Sequence, residues 1–280
     1  LWPSRDGEWA ALATMRSNWL PSSPKLIVAY PDRVLQSELT IGRRTLWSGT
    51  WSCDIRVNGQ PLEAVENWSQ VCWESNEDVD YLELELPLSS DVTLQRSILL
   101  ARQEQFLLLA DAVVGLMPLD IEYRSTLPLG VHSTFVGESE TSEGVLTIDS
   151  RPLARVLPLA LAEWRAAHSP GSLQANEAGL QLTQSAAGQA LFCPLLIDLA
   201  ANRLAKEVTW RQLTVAAART IVPAEDAVGY RVQVGKRQWL IYRSLTDPSI
   251  RSVLGQNVSH DLYVARFHGE ARVDALLEIE

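Results

Sequence analysis

From residue 25 onward, apolar and β-branched side chains recur mainly at every second position, and this period of two most constrains the fold. Side chains alternate across a strand but return to one face of a helix only after three or four residues, so the pattern selects sheets. Tyr81-Leu82-Glu83-Leu84-Glu85-Leu86 is its clearest instance and predicts a strand with one dry and one wet face. Comparable segments cover 25–30, 34–41, 45–57, 68–73, 92–101, 104–114, 121–128, 131–136, 145–148, 180–183, 191–197, 208–217, 228–234 and 238–243. Asn58-Gly59 and Gly235-Lys236 carry the residues of tight hairpin turns, and 261–267 with 272–279 predict a terminal hairpin around Gly269. Residues 155–164 fit strand or helix, and 168–178 read as a loop.

No regular helical crossovers exist to join parallel neighbours, so the strands predict an antiparallel all-β fold. The expected architecture is a large two-sheet β-sandwich, supersandwich-like, over residues 25–280 as one domain. The start of the chain reads differently. Trp9, Leu12, Arg16 and Trp19 stand at helical spacing behind Asp6, a possible cap, and Pro21 and Pro24 end the pattern. A short N-terminal helix is therefore expected, with residues 1–24 forming a flap on the sandwich or the tail of a preceding helical domain. The absence of an initiator methionine at Leu1 suggests a fragment or a mature form.

The formal net charge of -10 would repel a phosphate backbone, so nucleic acid is not an expected partner. No apolar run approaches the roughly 18 residues that span a bilayer. Cys53, Cys72 and Cys193 lack metal-ligand spacing and allow at most one disulfide; small buried hydrophobes are the simpler reading. Lysine occurs only at Lys25, Lys206 and Lys236, so nearly every cation is an arginine. Codon usage in a GC-rich, bacterial-type genome accounts for this first, and selection for forked carboxylate contacts second.

Reactive motifs are scarce. Neither GxGxxG, GxxxxGK[ST] nor GxSxG occurs, so no cofactor and no serine nucleophile is expected. The four histidines show no metal-ligand spacing; His132, Asp149 and His168 could meet at a metal only if the strands after 131 and 145 pair. Glu83 and Glu85 project from one side of a strand, as paired glycosidase carboxylates would, but a solvated face explains them as well. Trp47, Trp51, Trp68 and Trp73 fall in one short region, and aromatic faces stack on sugar rings, so these four are the candidate glycan platform; packing in the core is the alternative. Arg96 interrupts the apolar 92–100 and Asp111 the apolar 106–114. A turn near 102–104 sets them nearly opposite, so they are expected to form a structural ion pair.

Asp91-Val92-Thr93-Leu94-Gln95-Arg96-Ser97-Ile98, then Gln105-Phe106-Leu107-Leu108-Leu109-Ala110-Asp111-Ala112-Val113, then Ile121-Glu122-Tyr123-Arg124 resembles the β-sandwich portion of heparinase II/III-like polysaccharide lyases. The resemblance covers about a sixth of the chain. It implies a sandwich that follows an α-helical toroid, with a glycan cleft between the two, and a periplasmic or extracellular setting. The family's His-rich segment before the arginine strand has no counterpart here, so the expectation is an accessory sandwich that binds a polysaccharide or packs on a helical domain of the same protein. The alternatives are β-elimination on an acidic polysaccharide, with Tyr123 or His132 taking the proton and Arg124 steadying the acidic sugar, and a purely structural module of a cell-surface protein.

Overall fold

The computed structural model describes residues 4–268 and 273–280. Among these, twenty-five strands and two short 3-10 turns, at Glu8–Ala10 and Ala201–Arg203, make up the regular structure. Every pairing is antiparallel, as the lack of helical crossovers requires.

The architecture is four stacked sheets instead of two. The first joins Arg5–Gly7, Leu12–Arg16, Pro24–Ala29, Gln36–Ile41 and Arg44–Thr50 in sequence order. The large middle sheet runs Ser133–Gly137, Gly144–Ile148, Arg151–Pro158, Gly179–Asp198, Phe106–Leu127, Val92–Ala101, Val79–Pro87, Ser69–Ser75, with Gly171–Asn176, Ser52–Val57 and Gln60–Leu62 attached beside it. A third sheet orders Val208–Leu213, Ala227–Val234, Arg237–Ser244, Leu262–Phe267 and Val273–Ile279, and a small fourth holds Thr220–Ile221, Val215–Ala217, Arg251–Val253 and Gln256–Val258. Three apolar cores fill the gaps. Met15, Leu39, Leu100 and Leu109 lie between sheets one and two. Tyr81, Phe106, Leu108 and Trp239 lie between two and three. Leu240, Tyr242, Val253 and Val258 lie between three and four.

The layer count corrects the reading of the Tyr81–Leu86 alternation. Both faces of that strand are covered, and Glu83 is buried against Arg243 of the third sheet (Oε1 to Nη2, 2.6 Å), not solvated. The N-terminal helix is absent. Ala13 and Met15 point inward with a period of two, while Trp9 is 95% exposed beside the tip of a hairpin that turns through left-handed Ala11. Cross-strand pairing to Pro24–Ala29 outweighs the helical spacing of the aromatic residues, which lie largely on the outside.

Two further corrections concern length. Segments 104–114 and 121–128 are parts of one 22-residue strand, Phe106–Leu127, and 180–183 and 191–197 are parts of one 20-residue strand, Gly179–Asp198. They pair along their lengths through a bulge between Val114 and Leu119. In both, the half nearest the bulk of the third sheet is buried on both faces, whereas residues 120–126 and 180–187 alternate buried and exposed. Part of the expected loop, Gly171–Asn176, is another strand on this pair. The Asn58-Gly59 turn forms with both residues at positive φ, and Val234 pairs with Arg237 across Gly235-Lys236. Gly269 and Arg272 of the terminal hairpin lie outside the described residues.

Candidate functional site

Where the long strand Phe106–Leu127 ends, the chain is stitched to the first sheet. Ser48 N donates to Pro128 O (3.2 Å), Gly130 N to Leu46 O (2.9 Å), and Ser133 Oγ to Thr45 O (3.0 Å). A Cβ at Gly130 would stand 2.5 Å from Thr45 O, so only glycine permits this approach. The stitched loop displays Val131 and His132 to solvent. Opposite it, Asp149 and Ser150 both take left-handed φ (49° and 63°) in the tight turn between Gly144–Ile148 and Arg151–Pro158. Asp149 N donates to His132 O (3.2 Å), and its carboxylate stands 3.7 Å from His132 Nδ1. The hairpin of Gln36–Ile41 and Arg44–Thr50, turning at Gly42 (φ 65°), supplies Arg43, Arg44 and Glu38.

These three loops enclose a cleft of about 670 Å³. Glu38 accepts from Ser48 Oγ (3.1 Å). Among the described residues, neither Arg43 nor Arg44 forms a salt bridge, and both are exposed. Two uncommitted guanidiniums beside an imidazole can take a carboxylate or sulfate oxygen in forked geometry. Arg43 and Arg44 carry no candidate role in the strand reading, where Gly42 serves only to divide two strands. The signal was an unpaired Arg-Arg immediately after a turn glycine.

The other candidate residues are dispersed. Tyr123 and Arg124 are neighbours on one strand and so face opposite ways. Tyr123 is buried, its hydroxyl donates to Asp111 Oδ2 (2.7 Å), and burial together with the adjacent carboxylate pushes its pKa well above the usual tyrosine range. A hydroxyl so placed is poor at taking a proton from a bound sugar. Arg124 lies on the outer face, 3.5 Å from Asp54. Neither lines the cleft that holds His132. His168 lies in an exposed stretch elsewhere, and no group of three or more His, Cys, Asp or Glu gathers among the described residues with His132 and Asp149.

Three of the four platform tryptophans have their rings in the core: Trp47, Trp51 and Trp68 are buried, and Trp73 is half-buried. Trp47 Nε1 donates to Ser37 Oγ (3.2 Å) and Trp51 Nε1 to Ser125 Oγ (2.7 Å). Trp51 and Trp68 face a guanidinium, with the Arg96 head 3.7 Å from the centre of the Trp51 ring and 5.0 Å from that of Trp68. Arg96 and Asp111 are direct cross-strand partners and form two 2.7 Å hydrogen bonds, Nε to Oδ1 and Nη2 to Oδ2. Burial works against the Arg96 charge, but Asp111 outweighs it and holds the guanidinium above its ordinary range. Burial, then Asp111, pushes the thiols of Cys53 and Cys193 up, which disfavours the thiolate; all three cysteines are free.

Neither a protein-family model nor a curated protein matches the chain. Its fold is similar to that of solved heparinase structures. The heparan sulfate lyase HepC of Pedobacter heparinus matches at TM-score 0.59 and 14% identity over 86% of this chain and 42% of that one. A mutant of that lyase matches at TM-score 0.57 and 14% identity, with the same coverage. A heparinase III gene product matches at TM-score 0.56 and 10% identity over 87% of this chain and 42% of its own. The chain thus spans less than half the length of each. The likeness is one of fold, and it bears out a partial heparinase-like resemblance.

Proposed function

We propose that this chain is an accessory β-sandwich of a polysaccharide-handling protein, holding an acidic glycan in the cleft of Arg43, Arg44 and His132. The observation that carries this reading is the pair of exposed arginines that form no salt bridge among the described residues, set in a cleft of about 670 Å³ in a protein whose net charge is -10. An excess of negative charge elsewhere would repel a polyanion and confine it to this spot. The fold supports the reading, because the lyases that share it extend well beyond the matched part. Packing against a helical domain fits the same picture.

A second reading is favoured by one feature, the exposure of His132 beside those arginines. In an elimination the imidazole would take the proton next to the sugar carboxylate while the glycosidic oxygen departs, leaving an unsaturated uronate. Incubation with heparan sulfate, followed by ultraviolet absorbance of the unsaturated product, separates the two. The accessory role predicts retention of the polysaccharide with no rise in absorbance. A rise that disappears in His132→Ala would replace it with the lyase reading.

A further inference from the structure

The outward halves of the two longest strands leave a sheet face uncovered, and most side chains on it are polar. Three cross-strand rows cross this face: Asp54, Arg124, Thr183 and Ser172; Arg56, Glu122 and Ser185; Ser52, Thr126, Gln181 and Gln174. The residues between them, Ile55, Ile121, Tyr123, Leu182 and Leu173, are buried beneath, so the polar set is held on a rigid floor. A hollow of about 370 Å³ lies over the first two rows. It shares Pro170, Gln184 and Ser185 with a second hollow of about 310 Å³, whose lining is largely apolar, Ala186, Ala187, Leu191, Phe192, Pro223 and Val228 among it. The first hollow is by itself a groove within the size range of small-ligand sites.

The groove differs from the arginine cleft in how its arginines stand: Arg43 and Arg44 form no salt bridge among the described residues, whereas Arg56 and Arg124 each have a carboxylate residue as cross-strand partner. Its four ionic residues balance, Arg56 and Arg124 against Asp54 and Glu122, and they sit opposite one another in cross-strand pairs, with Arg124 Nη1 3.5 Å from Asp54 Oδ2. Hydroxyl and amide groups continue the pattern: Thr183 Oγ1 lies 3.0 Å from Ser172 Oγ, and Gln181 Nε2 donates to Thr126 Oγ1 (3.4 Å). A floor with alternating donors and acceptors and no net charge matches a ligand rich in hydroxyls and itself uncharged, since a polyanion would meet Asp54 and Glu122 without a cationic surplus. Arg124 and Asp54 stand within ion-pair distance before any ligand arrives, which lowers the ordering cost of binding at that pair.

We propose that this open face is a second carbohydrate site, one that takes a neutral oligosaccharide. It does not depend on the acidic-glycan reading, because it lies on other strands and uses other residues.

Calorimetric titration of the whole chain with cellohexaose, xylohexaose, mannohexaose and the hexamer of N-acetylglucosamine tests it. At least one should bind, with an affinity that changes little between low and high salt. Arg124→Ala and Thr183→Val should each weaken that binding at least about tenfold while leaving the unfolding midpoint near wild type, because both side chains stand on the outer face. Arg43→Ala/Arg44→Ala should bind the same sugar as wild type does. Failure of all four sugars to bind at millimolar concentration would overturn the proposal, as would binding that survives both floor substitutions. Loss of heparan sulfate binding in the arginine double variant, with the neutral sugar retained, would separate the two sites.

Discussion

Arg96 is fully buried, and its charge is tolerated because several groups answer it at once. Asp111 takes two of its hydrogen bonds, the Trp51 carbonyl accepts a third from Nη1 at 3.3 Å, and two indole faces cover the guanidinium. Asp111 in turn accepts from Tyr123. Removing the carboxylate would leave a buried cation unpaired, so Asp111→Ala should cost about 3 to 5 kcal/mol in urea unfolding. Tyr123→Phe, which deletes one donor and keeps the ring, should cost less, about 1 to 3 kcal/mol. An Asp111→Ala midpoint equal to wild type would show that the pair does not hold the fold. The pair was legible in the sequence because each charge interrupts an apolar strand. The fate of Trp51 and Trp68 was not, since an aromatic ring is spent on a sugar or on the core according to what covers it. The arginine-for-lysine preference goes with carboxylate contacts at further buried sites. Arg102 with Asp80, Arg203 with Asp198, and Arg243 with Glu83 also form ion pairs with little solvent exposure.

The two longest strands govern the elements around them. Phe106–Leu127 pairs with Val92–Ala101 along its first half and with Ser52–Val57 along its second, changing neighbour past the bulge. At Gly115 a Cβ would meet Leu119 Cδ1 at 2.5 Å, so the bulge needs glycine there or a shift of that leucine. The sequence did not show the continuity of these strands. Leu116-Met117-Pro118 and Ser185-Ala186-Ala187-Gly188 interrupt the apolar strand pattern, whereas the ladder runs through Ser185–Gly188 and resumes at Leu119 beyond the bulge. Hydrogen exchange should register the change of environment. Amides of 106–113 and 190–197, covered on both faces, should exchange at least about tenfold more slowly than those of 120–126 and 181–187. Equal protection of both halves would contradict the two environments.

At the scale of the molecule, ionic contacts fasten the layers together. Glu104, in the turn between Val92–Ala101 and Phe106–Leu127, accepts from Trp239 Nε1 (3.0 Å), Arg266 Nη1 (2.6 Å) and Arg237 Nη1 (3.4 Å) of the third sheet, as Glu83 does from Arg243. The all-β class was legible from periodicity, but the number of layers was not, because alternation cannot distinguish water from another sheet lined with matching polar groups. The arginine cleft stayed hidden for a related reason: it assembles from three loops far apart in sequence. Burial also governs the response to alkali. Burial, then Asp6 and Glu8, pushes Tyr30 from 10.0 up to about 12, and burial pushes Tyr81, Tyr123 and Tyr230 up as well. The folded state favours each neutral phenol, so their stabilisation is whole below pH 10 and is lost as the pH climbs toward and past 12. Phenolate absorbance should therefore rise together with loss of the β circular dichroism signal; phenolates of these residues appearing near pH 10 with the fold intact would contradict the buried placements.

The most direct test of the central claim is the affinity of the chain for heparan sulfate as a function of salt. The account predicts binding that weakens steeply as salt rises, since the polyanion releases counterions when arginines take its charges. In Arg43→Ala/Arg44→Ala, binding at low salt should fall at least about tenfold and the salt dependence should flatten, with the unfolding midpoint unchanged. A double variant that binds heparan sulfate as tightly as wild type, with the same salt dependence, would contradict the assignment of this cleft.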